Sequence, residues 1–179
     1  MNGIWNAESA KHHQSSLKFA QWLASYLPKE TIVMDFGCGN GYYVGYLENQ
    51  GFYAYGLDGN DQVEMLCNSF YKADLSHNIK LSNKCSVMSL EVGEHLPKSA
   101  QETFVSNLVN ACDKHLILSW ASIGQPGIGH INCRDQKEVI SDIESRGFKL
   151  NEQATKEARA NVDENCSWLT RNLLIFERI

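Results

Sequence analysis

The sequence has no CxxC pair. Its six cysteines, Cys38, Cys67, Cys85, Cys112, Cys133 and Cys166, are scattered, so the paired spacing of a zinc site is absent. The chain is not a short secreted scaffold, and the cysteines read as reduced thiols, several of them in the core. A signal peptide is missing as well: the opening MNGIWNAESAKHHQSSLKFA has no basic-then-apolar run. No apolar stretch reaches membrane-spanning length. These absences predict a cytoplasmic, reducing compartment and no membrane partner. A basic surplus is lacking too, since the net charge is −5. That disfavours a general affinity for nucleic acid backbone, although a local basic patch could still hold one. Repeats, low-complexity tracts and Pro/Gly/Ser linkers are not found. What remains is one domain of 179 residues, long enough for a sizeable core.

The pattern that is present alternates strands with helices. Residues 15–27 carry Leu17, Phe19, Ala20, Leu23 and Leu27 near helical spacing, and Pro28 ends that helix. Thr31–Phe36 is a short buried strand feeding a tight turn. Helices are predicted over Tyr43–Gln50, Asp61–Leu66, Ser99–Ala111 and Asp135–Arg146. Gly51 and Gly147 act as C-terminal stops. Strands are predicted over Tyr53–Leu57, Phe70–Ala73, Cys85–Leu90, His115–Trp120, Phe148–Leu150 and Leu173–Glu177. Residues 121–134 form a loop, and the polar stretch 151–172 has no clear pattern. This is an α/β chain with a doubly wound, Rossmann-like, mostly parallel seven-stranded sheet and helices on both faces. Its last strand is expected to run antiparallel. Ligands bind such sheets at the carboxyl ends of the strands, near the switch in strand order.

The strongest local signal is Asp35-Phe36-Gly37-Cys38-Gly39-Asn40-Gly41, between a strand and a helix. Alternate glycines permit unusual φ and close approach of a ligand to the backbone. The turn also presents N–H groups at a helix start, where a carboxylate is favoured. A dinucleotide fingerprint would need a third glycine at position 42, which is Tyr42.

Asp35–Gly41 resembles the first motif of class I S-adenosylmethionine-dependent methyltransferases, and the resemblance continues in order along nearly the whole chain. It implies S-adenosylmethionine as cofactor and S-adenosylhomocysteine as product. Asp35, Gly37, Cys38, Gly39 and Asn40 would hold the amino-acid end. Asp58, with Gly59 at the end of the second strand, looks like the acid that binds both ribose hydroxyls, a task for a group accepting two hydrogen bonds. Asp74 resembles the residue that meets the adenine edge, with Leu75 packed on the purine; alone, it could equally be a cap or a loop acid.

Ser89–Pro97, SLEVGEHLP, resembles the fourth-strand exit of methyltransferases related to ubiquinone-biosynthesis O-methyltransferases. Leu90 and Glu91 would flank the cofactor. Some relatives with an E-x-x-E-H arrangement bind a divalent metal, so Glu91, Glu94 and His95 could hold Mg²⁺, Mn²⁺ or Zn²⁺. Many relatives share the segment without one. The reading taken is a helix-start network with Glu94, in which His95 serves as base or orienter, and no residue is assigned as a metal ligand. The loop Trp120–Asn132 lies where an acceptor should dock, and His130 is its candidate base, or a histidine that fixes the loop. Residues 1–30 are read as a helical lid segment on a core of residues 31–179. Trp5, His12 and His13 are candidates for contact, and Tyr42 and Tyr43 either line the methionine end or pack in the core.

The implied activity is methyl transfer to an oxygen or nitrogen of a small-molecule acceptor. The N/D-P-P-Y/F motif of amino-methylating DNA enzymes is missing; Glu91-Val92-Gly93-Glu94 stands there instead. Three alternatives stay open. They are a non-catalytic cofactor-binding or partner protein, a metal-assisted O-methyltransferase acting on a nucleic acid or catechol hydroxyl, and a dinucleotide-binding enzyme.

Overall fold

A computed structural model of the chain describes residues 13–61 and 64–179. Trp5, His12 and part of the helix expected over Asp61–Leu66 lie outside the described residues, and residues 64–66 are not helical.

Seven strands form one sheet: β1 (Ile32–Phe36), β2 (Tyr53–Asp58), β3 (Phe70–Lys72), β4 (Cys85–Leu90), β5 (Cys112–Ser119), β6 (Phe148–Leu150) and β7 (Leu174–Arg178). Their order is β3-β2-β1-β4-β5-β7-β6. Strands β1 to β5 pair in parallel. β7 runs antiparallel to both β5 and β6, between them. The doubly wound sheet with a reversed last strand is therefore observed. Strand order reverses between β1 and β4, and that switch point opens a crevice at the strands' carboxyl ends.

Period-two alternation on the strands sorts the core onto two faces. Phe36, Val87, Leu116, Leu118 and Phe176 face one side, where they meet Phe104, Val105 and Leu108 of α3 (Gln101–Ala111) and Val139 and Ile143 of α4 (Gln136–Glu144). Val33, Met88, Ile117 and Ile175 face the other. There they meet Phe19 and Leu23 of α1 (Leu17–Tyr26), Val44 and Leu47 of α2 (Tyr42–Asn49), and Ala154 and Ala158 of α5 (Glu152–Ala160). A last short helix, α6 (Leu169–Asn172), leads into β7.

α1 begins where Ser16 Oγ accepts the Phe19 N–H at 3.2 Å. It ends at Leu27, whose extended backbone is what the following Pro28 imposes. The same Ser16 Oγ accepts from the Asp163 N–H at 2.9 Å, which ties the start of α1 to the turn after α5. α5 falls in the stretch where no pattern was legible.

Candidate functional site

The site is built from the ends of β1, β2 and β4. Beyond β1, Gly37, Gly39 and Gly41 have φ of 90°, 57° and 76°, the left-handed region that suits glycine. The first two are also crowded. A Cβ on Gly37 would lie 2.3 Å from Val92 Cγ2, and one on Gly39 would lie 2.3 Å from His13 Nε2. Gly37 and Cys38 donate to Leu57 O at 2.7 and 3.1 Å, so the turn folds over the end of β2. The Cys38 side chain points under Gly56 into the core, and Asn40 Oδ1 accepts from Tyr42 N at 3.1 Å, shaping the start of α2. The turn therefore offers a ligand its backbone rather than these two side chains.

Asp58 completes the turn. Its Oδ2 accepts from Gly39 N–H at 2.9 Å and its Oδ1 from Asn60 N–H at 2.8 Å. Each oxygen keeps a lone-pair direction in reserve, because an ionised carboxylate can accept about four bonds. Burial pushes the Asp58 pKa up, and the backbone N–H bonds oppose that. Asp35 is buried at the end of β1, and its Oδ1 has no hydrogen-bond partner among the described residues. Burial first, and the Asp58 charge second, hold its pKa well above the carboxylate range.

A cavity of about 460 Å³ opens over this turn. Its walls include Gly37, Gly39, Asp58, Gly59, Asp74 and Leu75 together with His95, His130 and Ile128. Leu90 and Glu91 line it as well, with Tyr43 of α2 and His13 from the segment before α1. Asp74 Oδ1 accepts from Ser76 N and Oγ at 3.0 and 2.6 Å, and its Oδ2 lies 3.1 Å from His77 Nδ1. Asp74 thus caps a turn and faces the cavity at once. Those hydrogen bonds, from Ser76 first, hold its pKa below the usual range.

Beyond β4 the chain turns sharply at Glu91, which has φ of 54°. A non-glycine residue there costs roughly 1–3 kcal/mol and persists only where its surroundings fix it. Two amides and a hydroxyl do so. Glu91 Oε2 accepts from Gln125 Nε2 at 2.8 Å, and Glu91 Oε1 accepts from Asn172 Nδ2 at 3.0 Å. Asn172 Nδ2 also donates to Gln125 Oε1 at 2.7 Å, and Ser122 Oγ donates to Asn172 Oδ1 at 3.1 Å. Glu94 and His95 follow in a 3₁₀ turn, Gly93–His95. The Glu94 carbonyl accepts from Ile131 N and Asn132 N at 2.9 and 3.0 Å, and Trp120 Nε1 donates to Asn132 O at 2.7 Å. These bonds lay the 121–134 loop across the turn and bring His130 to His95, with ring centroids 5.1 Å apart. Burial, then His130, pushes the His95 pKa down to about 4, so its imidazole is neutral near pH 7. Glu94 is fully buried, with its carboxyl set against the Glu94 and Ala121 backbone N–H groups and the Glu91 carboxyl. Burial and the Glu91 charge hold its pKa well above the usual range.

No family profile and no curated protein matches the sequence. Solved structures do match. The magnesium protoporphyrin IX methyltransferase ChlM of Synechocystis PCC 6803 with bound SAH superposes with a TM-score of 0.66 at 20% identity, covering 90% of this chain and 80% of that one. A TehB-like SAM-dependent methyltransferase from Corynebacterium glutamicum gives 0.64 at 16%, covering 96% and 93%. This is the class I methyltransferase fold. The cyclase SpnF shares it, with a TM-score of 0.63 at 11% identity over 99% of this chain and 86% of that one. The fold therefore hosts more than one reaction, and function rests on the site. No described helix is long and apolar enough to cross a membrane.

Sequence reasoning missed Trp168, Leu169 and Arg171, which also line the cavity, and Asn172. They lie in the stretch without a pattern. Gln125 stood inside the docking loop, but nothing local tied it to Glu91.

Proposed function

We propose that the chain is an S-adenosylmethionine-dependent methyltransferase acting on an oxygen or nitrogen of a small-molecule acceptor. One observation carries this reading: the Gly37–Gly39 turn, Asp58 and the Asp74–Leu75 pair open onto the same cavity as His95 and His130.

Each part fits a piece of the cofactor. The amino-acid end suits the Gly37–Gly39 cradle, which a Cβ at either position would fill, and the unpartnered Asp35 Oδ1 behind it suits an ammonium. Asp58 suits a ribose diol, and Asp74 with Leu75 an adenine. The cofactor supplies an electrophilic methyl group; the protein's share is alignment and removal of the acceptor's proton. The cavity is also walled by Val92, Leu96, Pro126 and Ile128, apolar side chains that suit an organic acceptor. His95, kept neutral by burial, and His130 line the same cavity and are the residues assigned to take the proton, directly or through water. Glu94 stands behind them. The likeness of Ser89–Pro97 to ubiquinone-pathway O-methyltransferases favours an oxygen.

Two measurements test the proposal. Calorimetry with S-adenosylhomocysteine should show one site, and label from methyl-labelled cofactor should pass into a component of a metabolite extract. Protein that binds neither cofactor nor product would overturn the reading. Binding without transfer to any component would instead favour a cofactor-binding partner protein.

A further inference from the structure

Arg171 is the one arginine of the chain whose guanidinium makes no bond among the described residues. Arg134 pairs with Asp142 at 3.0 Å, and Arg146 reaches Asp142 and Glu102 at 2.8 and 2.7 Å. Arg159 Nε donates to Leu173 O at 2.9 Å, and Arg178 Nη2 donates to Cys112 O at 3.0 Å. Arg171 instead stands exposed where it lines the cavity. We propose that Arg171, with Trp168 beside it, binds an oxyanion of the methyl acceptor, a carboxylate or a phosphate, and so restricts the acceptor to small anionic compounds.

Three observations carry the assignment. The first is charge. Apart from its histidines, the ionisable side chains that line the cavity are Asp58, Asp74, Glu91 and Arg171. An anion entering it is repelled by the three acids and held only at the guanidinium. The guanidinium fork matches a carboxylate or phosphate with two parallel hydrogen bonds. The second is position. Asp58 ends β2 and Asp74 follows β3, so both belong to the β3-β2 half of the sheet. Arg171 lies just ahead of β7, across β1, β4 and β5 from them. The adenosine of the cofactor suits the first half, which leaves the second to the acceptor.

The third is rigidity. Asn172, next in sequence, is buried and donates to Glu91 Oε1 at 3.0 Å and to Gln125 Oε1 at 2.7 Å. The Gln125 carbonyl oxygen lies 3.1 Å from His130 Nδ1. α6 is thereby tied to the strand exit and the loop that carry the two histidines, and an anion held at Arg171 stands at a fixed offset from them. Trp168 is half-buried, packs against the core and also lines the cavity, which gives a planar organic body a surface to rest on. The anion serves as an anchor, and the methyl group goes to another oxygen or nitrogen of the same molecule. That last step rests on the proposed function; the oxyanion subsite does not.

The test titrates the purified full chain, saturated with S-adenosylhomocysteine, with benzoate, phenyl phosphate and neutral benzamide by ligand-observed NMR. At least one of the two anions should bind roughly tenfold tighter than benzamide. Arg171→Gln should abolish that preference, with melting temperature and affinity for S-adenosylhomocysteine unchanged. Arg171→Lys should restore part of it, because the charge returns without the fork. A second arm fractionates the metabolite extract after transfer from methyl-labelled cofactor, and the labelled product should be retained by an anion exchanger at pH 8. Equal binding of the three probes, no binding of either anion, anion binding by Arg171→Gln equal to wild type, or a labelled product that passes through the exchanger would each overturn the assignment. It also falls if Arg171→Gln binds S-adenosylhomocysteine more weakly but binds methylthioadenosine, which lacks the amino-acid tail, as well as wild type does; Arg171 would then hold the cofactor's carboxylate. Wild-type protein that does not bind S-adenosylhomocysteine would sink the proposed function, and the same probe titration on the ligand-free chain would still decide the subsite.

Discussion

The Gly39 N–H donates to the Asp58 carboxylate at 2.9 Å, so the turn after β1 and the acid after β2 form one unit before any ligand arrives. Replacing Asp58 with Asn should therefore do two kinds of damage. The amide loses the charge that would hold a diol, and its NH₂ group can be turned against the Gly39 N–H. Charge-assisted hydrogen bonds contribute about 1.5–3 kcal/mol each, so affinity for S-adenosylhomocysteine should fall roughly 100-fold or more. Calorimetry on Asp58→Asn and wild type decides it, and equal affinities would remove Asp58 from the site.

Gly39→Ala should cost stability and binding together. The positive φ strains an alanine by roughly 1–2 kcal/mol, and the new methyl group meets His13 Nε2 at 2.3 Å. Thermal melts should show the lower Tm, and calorimetry should show weakened product binding. An alanine variant with wild-type values on both would mean the turn is looser than described.

Asp35 should show a conflict between stability and binding. Its folded-state pKa is raised, by burial and then by Asp58. The stability it contributes is therefore present below the unfolded carboxylate pKa and is lost as pH rises through the folded value. Asp35→Asn should then raise the Tm of the ligand-free protein at pH 8 but not at pH 4. A gain of 1 kcal/mol corresponds to roughly 2–4 °C for a chain of this size. The same variant should bind S-adenosylhomocysteine more weakly, because the ammonium loses its counter-charge. Melting curves at both pH values, with binding at pH 8, check the pair of effects.

Asn172→Asp should loosen the docking loop. The buried amide donates to Glu91 and Gln125; a carboxylate there faces Glu91 with no donor to offer. Breaking such a buried network costs on the order of 3 kcal/mol. Hydrogen exchange of residues 121–134 should speed up in the variant while exchange in β1 and β4 stays slow. Uniform acceleration throughout the chain would show global destabilisation instead.

The sheet and the cofactor end of the site were legible because their signals are local. The Asp35–Gly41 turn announces itself, since glycine alone takes the φ values found at positions 37, 39 and 41 without strain. The runs Thr31–Phe36 and His115–Trp120 are apolar enough to fix buried strands. α5 stayed hidden because the residues it buries are Ala154, Thr155 and Ala158. Small side chains against a close neighbour leave almost no hydrophobic period to detect. The acceptor end was legible only in part. His95 and His130 were each visible as candidates, but their meeting depends on backbone bonds from Ile131 and Asn132 to Glu94, which no local pattern encodes. Asn172 was invisible for the same reason: its partners are 47 and 81 positions away.

The reversed β7 has a consequence for how the protein can be handled. A strand running against its neighbours starts at the rim where theirs finish, so the helix that feeds it, carrying Arg171 and preceded by Trp168, arrives beside the cavity. The far end of that strand emerges at the opposite rim, where Ile179 is 84% exposed and its N–H meets Gly147 O at 3.1 Å. A fluorophore or surface tether attached at Ile179 would hold the molecule by its back and leave the mouth of the cavity open to solution.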